Sequence, residues 1–248
     1  MTGRTTTTAT TAAAPPGQRI YAIGDVHGRA DLLVQILGLI EADLRRAGKP
    51  GLIIPLGDYI DRGPASAEVL RRVVEGDFPA PVHPLRGNHE EMLLAFLDDA
   101  AVLDHWGRNG GLQTLTSFGV DVERPSRGTG YEAARLALRD RLGASAIAVL
   151  QGLPTSLWLG DYFFCHAGVR PGVPLEAQQA DDLVWIRHEF LLSTEPFGAV
   201  VVHGHTPAAR PEVRPNRINI DTGAFATGVL TALVLDGTDR AFLSTANL

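Results

Sequence analysis

Asp25 and His27 stand two residues apart just past a short apolar run, residues 20–23, and in extended backbone such a pair points to one side. A carboxylate and an imidazole placed this way form a chelating pair. Four further apolar runs also end on a donor: Asp58 after 52–56, Asn88 after 82–85, His166 after 162–165 and His205 after 199–202. This mixture of carboxylate, imidazole and amide oxygen suits borderline or hard divalent ions such as Mn, Fe or Zn, and no thiolate is needed. Six protein donors exceed what one catalytic metal takes when a position stays open. We therefore read two ions sharing a carboxylate, with Asp58 as the bridge because it lies between the other ligands in chain order. Two ions roughly 3.5–4 Å apart grip a phosphate and lower the pKa of bound water toward about 7, which is the chemistry of phosphoester hydrolysis. His89, beside Asn88, is placed to protonate the leaving alkoxide, with Asp61 orienting that imidazole. Arg62 and an arginine further along would cradle the phosphate oxygens.

Donors at the ends of apolar runs require strands, and binding crevices of open α/β sheets lie at the carboxyl ends of strands. Leu32, Leu33, Ile36, Leu37, Ile40 and Leu44 recur at helical spacing, and Gly48 and Pro50 stop that helix. Val69, Leu70, Val73 and Val74 mark a second helix, and Met92, Leu93, Phe96 and Leu97 a third. Pro84 makes the 82–85 strand short or puts it at an edge. Residues 106–130 are rich in Gly, Thr, Ser and Arg and read as an irregular excursion over the site, before helical spacing returns at 133–142. Paired strands are expected at 156–159 and 162–165, a helix near 181–192, a buried strand at 199–202 and a closing meander over 217–221, 229–235 and 240–244.

Of the 248 residues, 45% are hydrophobic and 20% charged, the balance of a globular protein. The net charge of −6 gives no footprint for a polyanion, so nucleic acid is not an expected partner. Cys165 is the single cysteine, which excludes an intrachain disulfide; we expect it to act as a small buried hydrophobe. No run of about 18 apolar residues is present to span a bilayer, and residues 1–18 form a Thr/Ala-rich tail without the apolar stretch of a secretory signal. We expect a disordered tail, then one catalytic domain over 19–248, in a cytoplasmic protein.

Gly24-Asp25-Val26-His27-Gly28, Gly57-Asp58-Tyr59-Ile60-Asp61-Arg62-Gly63 and Gly87-Asn88-His89-Glu90 resemble, in order, the three signature motifs of the phosphoprotein phosphatase family of calcineurin-like metallophosphoesterases. His166-Ala167-Gly168, Gly204-His205-Thr206-Pro207 and Trp185-Ile186-Arg187 are similar to segments of its bacterial and phage branch. The resemblance implies a four-layer αββα sandwich with mixed β-sheets and a dinuclear centre, usually manganese. It also implies hydrolysis by direct attack of metal-activated hydroxide on phosphorus. By position it places Asp25, His27 and Asp58 on one metal and Asp58, Asn88, His166 and His205 on the second. Arg62, Asn88 and Arg187 then hold the phosphate, and His89 with Asp61 protonates the leaving group. His203 does not match a ligand position, and His83, His105 and His188 are expected to be structural. The 106–111 stretch is expected either to cap the substrate groove or to be a Gly-rich loop with a buried Trp. Asp221 is expected to form a turn, with a supporting role behind the metal ligands as the alternative. The expected function is a serine/threonine protein phosphatase acting on phosphoproteins. The alternative is a symmetrical diadenosine-tetraphosphate hydrolase, and a phosphoprotein-binding scaffold without activity is a third reading.

Overall fold

The computed structural model describes residues 4–7 and 11–246. Its strands, in chain order, are β1 (Arg4–Thr7), β2 (Arg19–Ile23), β3 (Gly51–Pro55), β4 (Ser156–Leu159), β5 (Tyr162–Cys165), β6 (Val200–His203), β7 (Glu212–Val213), β8 (Arg217–Asn219), β9 (Thr231–Asp236) and β10 (Asp239–Ser244). They form two five-stranded sheets, ordered β1-β10-β9-β2-β3 and β4-β5-β6-β8-β7. In the first sheet β2 and β3 are parallel and the other pairs antiparallel; in the second, β5, β6 and β8 run parallel between antiparallel edges. The main helices are α1 (Ala30–Ala47), α2 (Ser66–Glu75), α3 (Asn88–Asp98), α4 (Leu103–Trp106), α5 (Leu112–Ser117), α6 (Tyr131–Gly152, with a non-helical residue at Gly143), α7 (Ala180–Trp185), α8 (His188–Leu192) and the single turn α9 (Ala224–Thr227).

Strands buried on both faces read as continuous apolar runs, and their two side-chain sets go to different layers. Ile20 and Ala22 of β2, with Leu52 and Ile54 of β3, point between the sheets and meet Phe164, Val202 and Ile218 of the second sheet. Tyr21, Ile23 and Ile53 point the other way, onto Ile36, Ile40, Val69 and Phe96 of α1, α2 and α3. Phe163, Cys165 and Val201 leave the second sheet outward against Leu183 and Phe190 of α7 and α8. The result is the expected helix-sheet-sheet-helix sandwich.

Several expectations are corrected in detail. The expected irregular excursion over 106–130 is irregular only in its second half: up to residue 117, α4, a widened helical turn over Gly107–Gly111 and α5 run on from one another, and Trp106, Thr114 and Leu115 are buried. The Gly-rich composition that suggested a loop lets the helical turn widen and pass against the Trp106 ring. The closing meander is divided, because β8 joins the second sheet while β9 and β10 belong to the first. The 181–192 helix is two short helices broken at Ile186 and Arg187. The 82–85 run contributes a single bridge, Val82 to Ile53, with the His83 and Leu85 amides donating to the Ile53 and Pro55 carbonyls; Pro84, between them, has no amide for a further strand on the other side and so keeps the run at the edge.

The expected disordered tail also differs where it is described. The backbone of β1 pairs with the β10 edge, and Ala13 and Ala14 donate to Asp161 and to the Gly237 carbonyl. An open sheet edge offers unpaired backbone groups that a Thr-rich extended segment can satisfy. Residues 1–3 and 8–10 of that tail lie outside the described residues. Among the described residues no helix is long and apolar enough to cross a membrane.

Phe164 is fully buried between the sheets. Phe164→Ala should lower unfolding free energy by about 3–5 kcal/mol in a urea titration; a loss below about 1 kcal/mol would show that this layer does not carry the fold.

Candidate active site

The carboxyl ends of β2, β3, β5 and β6 deliver Asp25 and His27, Asp58, His166 and His205 to one place, and the first turn of α3 adds Asn88 and His89. Reaching it takes backbone that L-residues avoid. The non-glycine residues with positive φ among those described are His27 (44°), Asp58 (54°), Asp61 (73°), Arg62 (67°) and His205 (66°), and each belongs to the site. Such conformations cost of order 1–3 kcal/mol each and persist where surrounding contacts over-determine them. Here the Asp58 carbonyl accepts the amides of Val26 and His27, while Glu90, fully buried, accepts the amides of Asp58, Tyr59 and Gly87 at 2.8–2.9 Å.

Asp58 lies at the centre. Two groups of donor atoms fall within 4.8 Å of one another, His27 with Asp58 and His89, and Asp58 with His166 and His205, so Asp58 is common to both. His27 Nε2 is 3.4 Å from one Asp58 oxygen and His166 Nε2 is 3.3 Å from the other. Asn88 Oδ1 is 2.9 Å from both His166 Nε2 and His205 Nδ1. Asp25 sits at the rim of this group, taking the His205 amide at 3.0 Å. Gly204 leaves room for it, since a Cβ there would lie 2.1 Å from Asp25 Oδ1.

The protons are the informative part. His27 Nδ1 is 2.8 Å from the Ile60 carbonyl and His166 Nδ1 is 3.0 Å from the Leu56 carbonyl. A carbonyl only accepts, so each Nδ1 carries the hydrogen and each Nε2 is a bare lone pair. With Asp58 ionised, as a metal ligand must be, those lone pairs face carboxylate and amide oxygens that also only accept. Acceptors at hydrogen-bonding distance with no hydrogen between them repel, unless a cation takes the place of the proton. The donor set therefore fits divalent metal ions, held by oxygen and imidazole nitrogen.

Burial raises Asp25 and Asp58 well above the usual carboxylate range, reinforced by Asp221 and Glu90 respectively. Burial likewise lowers His27 far below its ordinary value and His166 to about 3. His205 is lowered by burial and then by His166 and Arg187. Without a cation these carboxyls and imidazoles thus favour their neutral forms, and a cation takes the place of the carboxyl protons.

His89 Nδ1 donates to Asp61 Oδ2 at 2.6 Å, and its Nε2 lies 3.2 Å from an Arg62 terminal nitrogen. Burial, Arg62 and Arg187 together lower His89 to about 3. Arg187 stands at the break between α7 and α8, with its Nε 2.9 Å from His205 Nε2. Every site residue named from the sequence is therefore gathered here. His203 is not: its ring nitrogens face the Gly204 carbonyl and Arg217. His83, His105 and His188 are exposed, and Cys165 is buried with its thiol pushed up.

Other residues join the site besides those named as ligands, phosphate holders or proton donor from the sequence. Glu90 was visible only as the third residue of α3, where a glutamate reaching back to Gly87 completes a helix start. Asp221 forms the expected turn by accepting the Gly223 amide, and its charge helps to raise the Asp25 carboxyl. Phe225, from α9, lies under the Arg62 guanidinium at 4.6 Å and edge-on to His27 at 5.4 Å. Trp106 and Thr114 reach Asp61 from 45 and 53 residues away, a contact no local pattern encodes.

The profile of calcineurin-like phosphoesterases matches residues 18–226. The chain belongs to this family. It is a metallophosphoesterase, a hydrolase of phosphate esters whose fold implies a dinuclear divalent-metal centre. It is 30% identical to serine/threonine-protein phosphatase 1 of Salmonella typhimurium, covering 86% of this chain and 90% of that protein. It is 27% identical to the asymmetrical bis(5'-nucleosyl)-tetraphosphatase PrpE of Bacillus velezensis, covering 84% and 86%. A solved putative diadenosine tetraphosphatase superposes with a TM-score of 0.62 at 20% identity, over 95% of this chain and 100% of that one. The cold-active protein-tyrosine phosphatase of a psychrophilic Shewanella gives 0.57 at 18% identity, over 90% and 78%. These structures share the fold.

The buried carboxyls of this phosphoesterase make its metal-free stability depend on pH. Burial pushes Asp61 and Glu90 up to about 7, so the folded chain keeps protons that unfolded carboxyls lose near about pH 4. Their contribution is complete below the unfolded pKa and disappears as pH rises through about 7. The histidines have lowered folded values, so theirs is lost only on acidification below about 6.5. Between about pH 6.5 and 7.5 the carboxyls alone decide the sign. The Tm of chelator-treated protein should fall across that window, and saturating Mn²⁺ should remove most of the fall; a rise would contradict the assignment.

Proposed function

We propose that this metallophosphoesterase is a metal-dependent phosphomonoesterase acting on phosphoserine or phosphothreonine in proteins. The observation that carries the reading is the His89–Asp61 pair, bonded at 2.6 Å and oriented with Nε2 away from Asp61. An alkoxide leaves poorly without a proton, whereas a nucleotide phosphate leaves readily as the anion, so a held proton donor serves an alkyl phosphate best. Asp25, His27 and Asp58 would hold one ion, and Asp58, Asn88, His166 and His205 the other. Two divalent ions, Mn²⁺ in our reading and Fe or Zn as alternatives, supply charge to neutralise the phosphate and to acidify water.

The chain's own groups do the rest. Arg62 and Arg187 are the guanidinium groups nearest the donors, and with the Asn88 side chain they would grip the phosphate oxygens. Burial is the main cause of the lowered His89 value, and a dianion between the arginines offsets the part that Arg62 and Arg187 add, which favours the protonated imidazole when substrate is bound. Asp61 then keeps that proton on the face turned toward the leaving oxygen.

The second reading is hydrolysis of dinucleoside tetraphosphates. It is supported by similarity to PrpE-type enzymes over most of the chain, and by two partly exposed aromatic rings, Trp185 (39% exposed) beside His205 and Phe225 (36%) beside His27. Such rings offer stacking surfaces to a nucleobase. An inactive scaffold is disfavoured by the complete donor set and the intact dyad.

With Mn²⁺, phosphate release from a phosphothreonine peptide should exceed cleavage of diadenosine tetraphosphate, with Asp58→Asn as the blank. The reverse result would replace the protein-phosphatase reading, and the products, two ADP or ATP plus AMP, would then give the cleavage mode. His89→Asn should keep its metals by elemental analysis yet lose roughly 10²–10⁴ in peptide turnover, and an unchanged rate would remove His89 from the donor role.

A further inference from the structure

Asp61 is fully buried, and its carboxylate is satisfied from three directions. Oδ1 accepts the Thr114 hydroxyl at 2.6 Å, and Oδ2 accepts both the Trp106 indole N–H at 2.7 Å and His89 Nδ1 at 2.6 Å. The Asp61 amide donates in turn to Ser66 Oγ and Thr114 Oγ1, so backbone and side chain are clamped together. Trp106 is itself fixed. It is fully buried, its ring centroid lies 5.0 Å from that of Phe96, and Gly111 presses on it so closely that a Cβ there would stand 2.4 Å from Cδ2. The same segment reaches the neighbouring phosphate arginine, because Gly110, at a φ of 106°, accepts the Arg62 amide with its carbonyl.

A buried indole N–H needs a partner, but a backbone carbonyl would have met that need. Spending it on the same oxygen that receives His89 has a geometric consequence. A carboxylate oxygen has two lone-pair directions. With Trp106 occupying one and Thr114 holding the other oxygen, the carboxylate cannot rotate, and the remaining lone pair points at His89 Nδ1.

We infer that Trp106, together with Thr114, is a positioning residue for protonation of the leaving group. It acts through Asp61 to hold His89 with Nε2 directed at the leaving oxygen, to which the proton passes as the P–O bond breaks. The inference rests on the reading of His89 as the proton donor.

The test varies how much the reaction needs a proton. Trp106→Phe keeps a ring in the core and removes only the N–H. With Mn²⁺ and aryl phosphates, kcat should fall roughly 10–100-fold for phenyl phosphate, a poor leaving group. It should stay within about twofold for 2,4-dinitrophenyl phosphate, whose leaving group departs without a proton, and KM should move little. Thr114→Val should repeat the pattern more weakly and Thr114→Ser, which keeps the hydroxyl, should restore it, so a poorly folding Trp106 variant does not remove the test. Equal losses on both substrates would reduce Trp106 to a packing residue and overturn the inference. His89→Asn is the reference: if it shows the leaving-group dependence and Trp106→Phe and Thr114→Val do not, the positioning role alone fails; if His89→Asn lacks the dependence, the proton-donor reading fails first and takes the inference with it.

Discussion

His27 and His166 give their Nδ1 hydrogens to the backbone carbonyls of Ile60 and Leu56, and so turn bare Nε2 lone pairs onto the Asp58 carboxyl oxygens and Asn88 Oδ1, atoms that only accept once Asp58 is ionised. That arrangement is repulsive with the carboxylate ionised and no cation present, so the metal-free carboxyl keeps a proton, and it is attractive around cations. The carbonyls belong to the segments that carry the ligands: Leu56 directly follows β3 and Ile60 lies two residues past Asp58. The loop that presents Asp58 therefore also sets the tautomers of the imidazoles around it, and the second sheet must bring His166 within reach of Leu56 for this to work. The inter-sheet core thus has a chemical consequence. Ile54 and Phe164 hold together the two strand ends from which Asp58 and His166 emerge.

Strain at the strand ends follows from the same requirement. Convergence of short loops on one point pushes His27, Asp58, Asp61, Arg62 and His205 into left-handed backbone, where a Cβ crowds the carbonyl. Asn or Gly would relax those positions, but neither provides the carboxylate, imidazole or guanidinium the chemistry uses. Glu90 is the counterweight: one buried carboxylate collects three amides from two loops and ties the Asp58 turn to the start of α3. Its cost is a further negative charge near Asp58, which raises the affinity of the centre for cations as it raises the pKa of its neighbour.

The parts legible in the sequence are those governed by local pattern. Apolar runs ending in polar donors gave β2, β3, β5 and β6 and the residues they deliver, and helical spacing gave α1, α2 and α3. Composition misled where tertiary contact overrides it. Residues 106–117 look like loop because of their glycines, yet those glycines let a helical segment pass closely over Arg62 and the Trp106 ring. Apolar periodicity ran through Ile186 and Arg187 without marking the break that places Arg187 on His205, and adjacency in sequence made β8, β9 and β10 look like one meander although β8 pairs with β6. The Glu90 and Trp106 contacts are hydrogen bonds to particular atoms, and no spacing rule announces those.

The depth at which each group sits separates what is common to the reaction from what selects a substrate. Asp25, His27, Asp58, Asn88, His89, His166 and His205 are all buried, as are Asp61, Thr114 and Trp106 behind them. A phosphate is the same group on a protein side chain and in a dinucleotide, so a buried centre that recognises phosphate and metal is indifferent to what the phosphate is attached to. Discrimination has to come from outside that layer, where Arg187, Trp185 and Phe225 are exposed. All three touch groups next to the centre: Arg187 lies 2.9 Å from His205, Trp185 donates to Glu91, next to Glu90, and Phe225 packs on both Arg62 and His27. A change at these exposed positions therefore also acts on the α3 start, on Arg62 or on His205, because residues in contact do not contribute independently.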